Sequence, residues 1–164
     1  MLLFISDANI LMDVEVGELI APMFRLGYQY AVPDILYYEE LEEHHAYLLD
    51  MGLQLRSLNP ERVKRVQTLS KTYIQPSRND LFALALAESE KCTLLTGDAA
   101  LRKAAESEKV KVSGSIWLIE QMLRKGCISV VEAKAALTKM HLNGRRLPWN
   151  IAEKMILNFA AGKL

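Results

Sequence analysis

The 164-residue chain is 51% hydrophobic and 24% charged, which excludes a disordered polypeptide and suffices for a domain with a proper core. Its 20 basic and 20 acidic residues cancel, its apolar runs are too short to span a membrane, and "MLLFI" meets Asp7 too early, without a basic start, to be a signal peptide. Cys92 and Cys127 stand apart from each other and from any zinc-ligand spacing, so they are expected as reduced, buried thiols of a cytoplasmic protein.

Leu2–Ile5 is a short apolar run, read as a strand buried on both faces. A helical pattern begins at Ala8–Asp13, and Val16–Leu26, with Pro22, forms a second short helix. "YQYAVP" alternates weakly and stops at Pro33, as a strand should. Residues 34–51 read as one helix ended by Gly52, "LQLRSL" as a strand, and Asn59-Pro60 opens a helix running to about Tyr73. Helix 79–91, strand Cys92–Thr96, helix 99–108, the strand "VKVSGS" and helix Ile116–Lys125 follow. Strands alternating with helices predict a parallel sheet covered on both faces, a three-layer α/β/α domain over residues 1–126. Residues 127–164 add two helical patterns, Val130–Met140 and Trp149–Ala160, joined by "HLNGRRLP": a helical hairpin packed on that domain.

Four acids fall at informative places. Asp7 and Asp98 each follow a strand and precede a helix, and ligands of open parallel sheets bind beyond the carboxyl ends of the strands. Either acid, taken alone, serves equally as a helix cap. On a wheel at about 100° per residue, Glu40 falls inside the apolar arc of Leu36, Tyr37, Leu41, Tyr47, Leu48 and Met51, where a carboxylate is expensive unless it is paired or bound to a metal. The adjacent Glu39, like Glu42 and Glu43, falls at the edge of that arc or outside it. Asp80 opens a helix whose residues 81–87 are apolar nearly all round, and Ser77-Arg78-Asn79-Asp80 also matches a capping box. Clustered carboxylates without histidine or cysteine partners suit a hard cation, Mg²⁺ or Mn²⁺, and the commonest chemistry of such a site is phosphodiester hydrolysis with one or two ions.

Charge is unevenly placed along the chain. Residues 1–50 carry ten acids and one base, residues 51–138 nine acids and fourteen bases, and residues 139–164 one acid and five bases. An acidic first third beside a basic remainder suits a carboxylate site next to a surface that holds a polyanion, and random scatter over a neutral surface explains the counts equally well.

In order and spacing, "SDAN", "VPDILYYEEL", "NDLFALALAES" and "LLTGDAALRKAA" resemble the PIN-domain ribonucleases, including the toxins of VapBC-type toxin–antitoxin pairs, over roughly residues 1–125. The tail "KGCISVVEAKAALTKMHLNGRRLPWNIAEKMI" is similar to the C-terminal extension of a subgroup described as nucleic-acid-binding. The resemblance implies that Asp7, Glu40, Asp80 and Asp98 are both the catalytic residues and the Mg²⁺ or Mn²⁺ ligands, with Asn9 and Thr96 supporting the first and last acid. It further implies an RNA substrate, a homodimer and a cognate antitoxin.

Other residues have two readings each. Arg145 and Arg146 in the hairpin connection contact phosphate or are simply solvated. His44 and His45 read as surface residues, His44 the more inward by wheel position, and Trp117 and Trp149 as core or interface. The expectation is therefore a metal-dependent endoribonuclease. Its alternatives are a catalytically silent binding module of the same fold, and a protein whose acids are only caps and ion-pair partners.

Overall fold

The computed structural model describes residues 1–163. Five short strands, β1 (Leu3–Ser6), β2 (Gln29–Pro33), β3 (Gln54–Arg56), β4 (Thr93–Leu95) and β5 (Val112–Ser113), form one parallel sheet in the order β3-β2-β1-β4-β5. The first half of the chain supplies the helices α1 (Ala8–Val16), α2 (Ile20–Phe24), α3 (Asp34–Leu36), α4 (Glu42–His45) and α5 (Tyr47–Met51), with a π-helical turn at Tyr37–Leu41. The second half supplies α6 (Pro60–Thr72), α7 (Arg78–Glu90), α8 (Ala99–Ser107), α9 (Ser115–Arg124), α10 (Val130–Leu142) and α11 (Trp149–Ala160). Among the described residues no helix is long and apolar enough to cross a membrane.

Successive strand side chains point to opposite faces, and the two cores sort accordingly. Phe4, Tyr30, Val32 and Leu95 face one core, with side chains of α1, α2, α9, α10 and α11. Ile5, Ala31 and Leu94 face the other, with side chains of α6, α7 and α8. Because both faces are covered, the central strands carry no polar alternation, and α7 buries every residue from Leu81 to Ala87. This is the expected three-layer α/β/α arrangement around a parallel sheet.

The hairpin α10–α11 shares the first core: Ala133, Ala136, Met140, Ala152 and Ile156 belong to the same buried cluster as Phe4 and Tyr30. Its approach to α1 is close. A Cβ at Gly17 would lie 2.5 Å from Met140 Cε and 3.3 Å from Ala136 Cβ, although the backbone there (φ −75°) makes no demand for glycine.

The segment 34–51 departs from the expected single helix. A π-helical turn at Tyr37–Leu41 and a break at Ala46 divide it before Gly52 closes it at φ +119°. A π turn takes up one extra residue, which rotates every later side chain by about 100° relative to an α-helical wheel. Two expectations are corrected as a result. His45 is the inward histidine, its side chain 13% exposed against 76% for His44. Glu40 lies on the exposed surface rather than inside an apolar arc, and Tyr47 and Met51 of that arc are exposed as well.

β1 and β4 are neighbours at the centre of the sheet. From β1 the chain moves outward through β2 to β3, then returns to β4 on the other side of β1 and continues to β5. The crevice beyond the carboxyl ends of β1 and β4 is thus the topological switch point, where open α/β sheets bind ligands.

Candidate functional site

Asp7 follows the last residue of β1, and its backbone N–H donates to Leu95 O at 3.0 Å, which pins it to the end of β4. Its extended backbone (φ −80°, ψ 172°) makes it the N-cap of α1, with Oδ1 accepting from the Ile10 N–H at 2.9 Å. Oδ2 accepts from the Thr96 hydroxyl at 2.5 Å. The carboxylate is only 1% exposed, and burial above all raises its pKa to about 7. The Thr96 and Ile10 bonds act in the opposite sense, while the charges of Asp80 and Asp13 add to the rise.

Thr96 joins two of the expected acids. Its buried Oγ1 donates to Asp7 and accepts from the Asp98 N–H at 3.1 Å, so one hydroxyl spans the ends of β1 and β4. Asp98 caps α8 through Oδ1, which accepts from the Leu101 N–H at 2.8 Å, and it is exposed in the crevice. Asp80 closes the capping box of α7. Its Oδ2 accepts from the Ser77 N–H at 3.0 Å, and its own N–H donates to Ser77 Oγ at 3.1 Å. Capping therefore occupies one oxygen of Asp98 and one of Asp80, and each keeps a second oxygen free of hydrogen bonds from the described residues.

Glu39 and Glu40 both reach the first turn of α7. Glu39 accepts from Arg78 at 2.8 Å, which neutralises it, whereas Glu40 accepts from the uncharged Asn79 Nδ2 at 2.9 Å. Of the adjacent pair, Glu40 is the one with no cationic partner among the described residues. Asn9 has a different partner from the one expected. Its side chain is exposed, and its Oδ1 accepts from the Arg145 guanidinium at 3.4 Å rather than contacting Asp7.

Asp13 is the residue sequence reasoning missed. It is 6% exposed on α1, its Oδ1 accepts from Arg145 Nε at 2.6 Å, and its Oδ2 accepts from the Ser115 hydroxyl at 2.9 Å. The signal was present in "ILMDVEV", where an acid sits within an apolar helix and needs a cationic partner, although that partner lies 132 positions away in the chain. Arg145, expected as a phosphate contact or a solvated side chain, is instead committed to Asp13 and to the Asn9 carbonyl. Arg146 has no such partner among the described residues. It lines, with Asn9, Asp13, Gly97 and Asp98, a cleft of about 540 Å³.

The donor set suits a hard divalent cation by chemistry and by charge. It offers only oxygen donors, Asp7 carries the electrostatic strain of nearby carboxylates, and Asn79 Oδ1 is a buried acceptor without a donor between Glu40 and Asp80. Among the described residues no three His, Cys, Asp or Glu side chains lie close enough to cage a metal by themselves.

No curated protein matches the chain. The sequence model of a family described as a PIN domain matches residues 3–160, nearly the whole chain. With that match, the parallel sheet and the acids at the ends of its central strands, the chain belongs to the PIN-domain family, whose fold is nuclease-like.

Proposed function

We propose that the protein is a Mg²⁺- or Mn²⁺-dependent endoribonuclease acting at the crevice beyond β1 and β4. The observation that carries this reading is the Asp7–Thr96–Asp98 linkage: a buried carboxylate whose pKa stands near neutrality, tied by one hydroxyl to the backbone N–H of Asp98, whose own side chain is exposed in the crevice. Asp7, Asp80, Asp98 and Glu40 of the π-helical turn would share the cation, with water and substrate phosphate completing its shell, since no three of these carboxylates lie close enough to hold it alone. When bound, the cation supplies charge neutralisation at the phosphate and a more acidic water. The chain's own residues do the rest. Thr96 fixes the spacing of Asp7 and Asp98, the two caps anchor those acids to α1 and α8, and Arg145 cancels the charge of Asp13 so that it does not repel a polyanion. A cytoplasmic location, a homodimer and pairing with a cognate antitoxin belong to the same proposal.

Purified protein should cleave RNA of mixed sequence in Mn²⁺ or Mg²⁺, and Asp98→Asn and Asp7→Asn should abolish cleavage. Asparagine is as good an N-cap as aspartate, so the fold survives both substitutions. Variants that cleave as fast as the wild type would overturn the reading. The absence of a preformed three-acid cage favours a second reading, a silent binding module of the same fold. Calorimetric titration with Mn²⁺ separates the two, since a silent module takes up no ion at these acids.

A further inference from the structure

Seven of the nine arginines are engaged by oxygens of the protein: Arg25, Arg56, Arg62, Arg65, Arg78, Arg124 and Arg145. Arg102 and Arg146 are the two that have no acceptor among the described residues, and both line the same groove. That groove begins in the cleft at Asp98 and continues, past Gly97 and Arg146, into a second hollow of about 410 Å³ bordered by Arg102, Trp117, Leu147 and Ile151. Gly114 lies beneath the Arg102 guanidinium, whose Nη2 is 3.9 Å from where a Cβ would be, and φ there is −137°. The missing side chain therefore leaves room in the groove rather than meeting a backbone requirement. The first turn of α9, which has no side-chain cap, opens onto the same hollow. The two acids of the groove are accounted for: Asp13 is neutralised by Arg145, and Asp98 belongs to the proposed cation site.

We propose that this groove holds the single-stranded flank of the nucleic acid, with Arg146 and Arg102 on successive backbone phosphates and a base against Trp117, Leu147 and Ile151. The inference rests on the nuclease reading for the position of the reacting phosphate, but the groove binds without cleavage. Unpaired guanidiniums provide bidentate phosphate contacts. Apolar side chains in the same groove (Ile151 is 61% exposed, Trp117 and Leu147 half-buried) offer a surface to an unstacked base, which a duplex cannot present.

The test is fluorescence anisotropy of a labelled single strand of about 12 ribonucleotides, in EDTA, with the full-length protein. An Arg102→Ala/Arg146→Ala variant is expected to bind at least tenfold more weakly and to lower the slope of log K against log salt by about 1.4, two phosphate contacts on a single strand. Arg102→Lys/Arg146→Lys should restore most of the affinity, Lys71→Ala on α6 should leave it unchanged, and a hairpin duplex should bind more weakly than the single strand. Neither arginine has an acceptor among the described residues, so the urea midpoint should not move. If the alanine pair does lower it, Arg102→Gln/Arg146→Gln replaces that variant. Wild-type protein that binds no strand, a double variant with wild-type affinity and salt slope, or tighter binding of the duplex would each overturn the proposal. The two readings fail separately. Loss of binding in the arginine variants beside undiminished cleavage by Asp98→Asn sinks the nuclease reading alone, whereas inactive Asp98→Asn beside a binding-neutral arginine pair sinks the groove alone.

Discussion

In the absence of a cation, Asp7→Asn should make the protein more stable at neutral pH. The Asp7 carboxyl titrates at about 7 in the folded chain against 3.8 for the free group. A folded pKa raised above the unfolded one means that the native state holds its proton more tightly. The contribution to stability is therefore fully present below pH 3.8 and is lost as pH rises through about 7. At about 1.4 kcal/mol per pH unit, the buried charge costs about 4 kcal/mol above that window. Asparagine removes the charge while its Oδ1 still accepts from the Ile10 N–H and its Nδ2 donates to Thr96 Oγ1. Exchanging a charged acceptor for a neutral one forfeits about 1 kcal/mol across those bonds, which leaves a net gain of about 2–4 kcal/mol. For a chain of this size the gain corresponds to a Tm about 4–16 °C higher. Equilibrium urea unfolding in EDTA at pH 4, 6 and 8 measures it: wild type and variant should nearly coincide at pH 4 and separate progressively to pH 8. A variant no more stable than wild type at pH 8, or a difference that ignores pH, would refute the argument. On the metal-site proposal, Mn²⁺ should close the gap by stabilising the wild type alone.

Arg145→Ala strands the nearly buried Asp13 carboxylate and should destabilise by about 2–4 kcal/mol in urea, with Asp13→Asn in the same chain recovering part of the loss. Leu84→Ala, at a fully buried position in the middle of α7, should cost about 2–5 kcal/mol by the same measurement. The Tyr73 hydroxyl and then Arg65 hold the Glu108 carboxyl below its ordinary range, so its stabilisation is present above that range and is lost as pH falls through the lowered folded value. Glu108→Gln should accordingly flatten the acid limb of a plot of stability against pH. Gly17→Ala should lower the urea midpoint modestly, about 1 kcal/mol, because Met140 must shift from a Cβ placed 2.5 Å away.

Much of this molecule was legible in the one-dimensional pattern. The five strands, the capping box at Ser77 and the boundaries of α11 follow from apolar runs, proline and glycine punctuation and cap residues, all of which act within a few positions of one another. The same local chemistry marked Asp7, Asp80 and Asp98 as caps, and the alternation of strands and helices marked two of them as strand-end acids. Residues 34–51 resisted because a π turn is set by how the segment packs, and a wheel drawn at constant pitch then misplaces residues within and after it, Glu40 and His44 among them.

By itself the sequence determined which residues carry charge, which segments must be buried and which acids stand at element ends, since these depend on composition and near neighbours. Only the tertiary structure decided how those acids are partnered. It joined Asp7 to Thr96 across 89 positions and through it to Asp98, gave Glu39 rather than Glu40 an arginine, and separated two adjacent arginines by tying Arg145 to Asp13 while Arg146 stays free of protein partners among the described residues. The physical reason is that a side chain's charge state and availability depend on burial and on partners brought from distant segments, and adjacency in the chain carries no record of either.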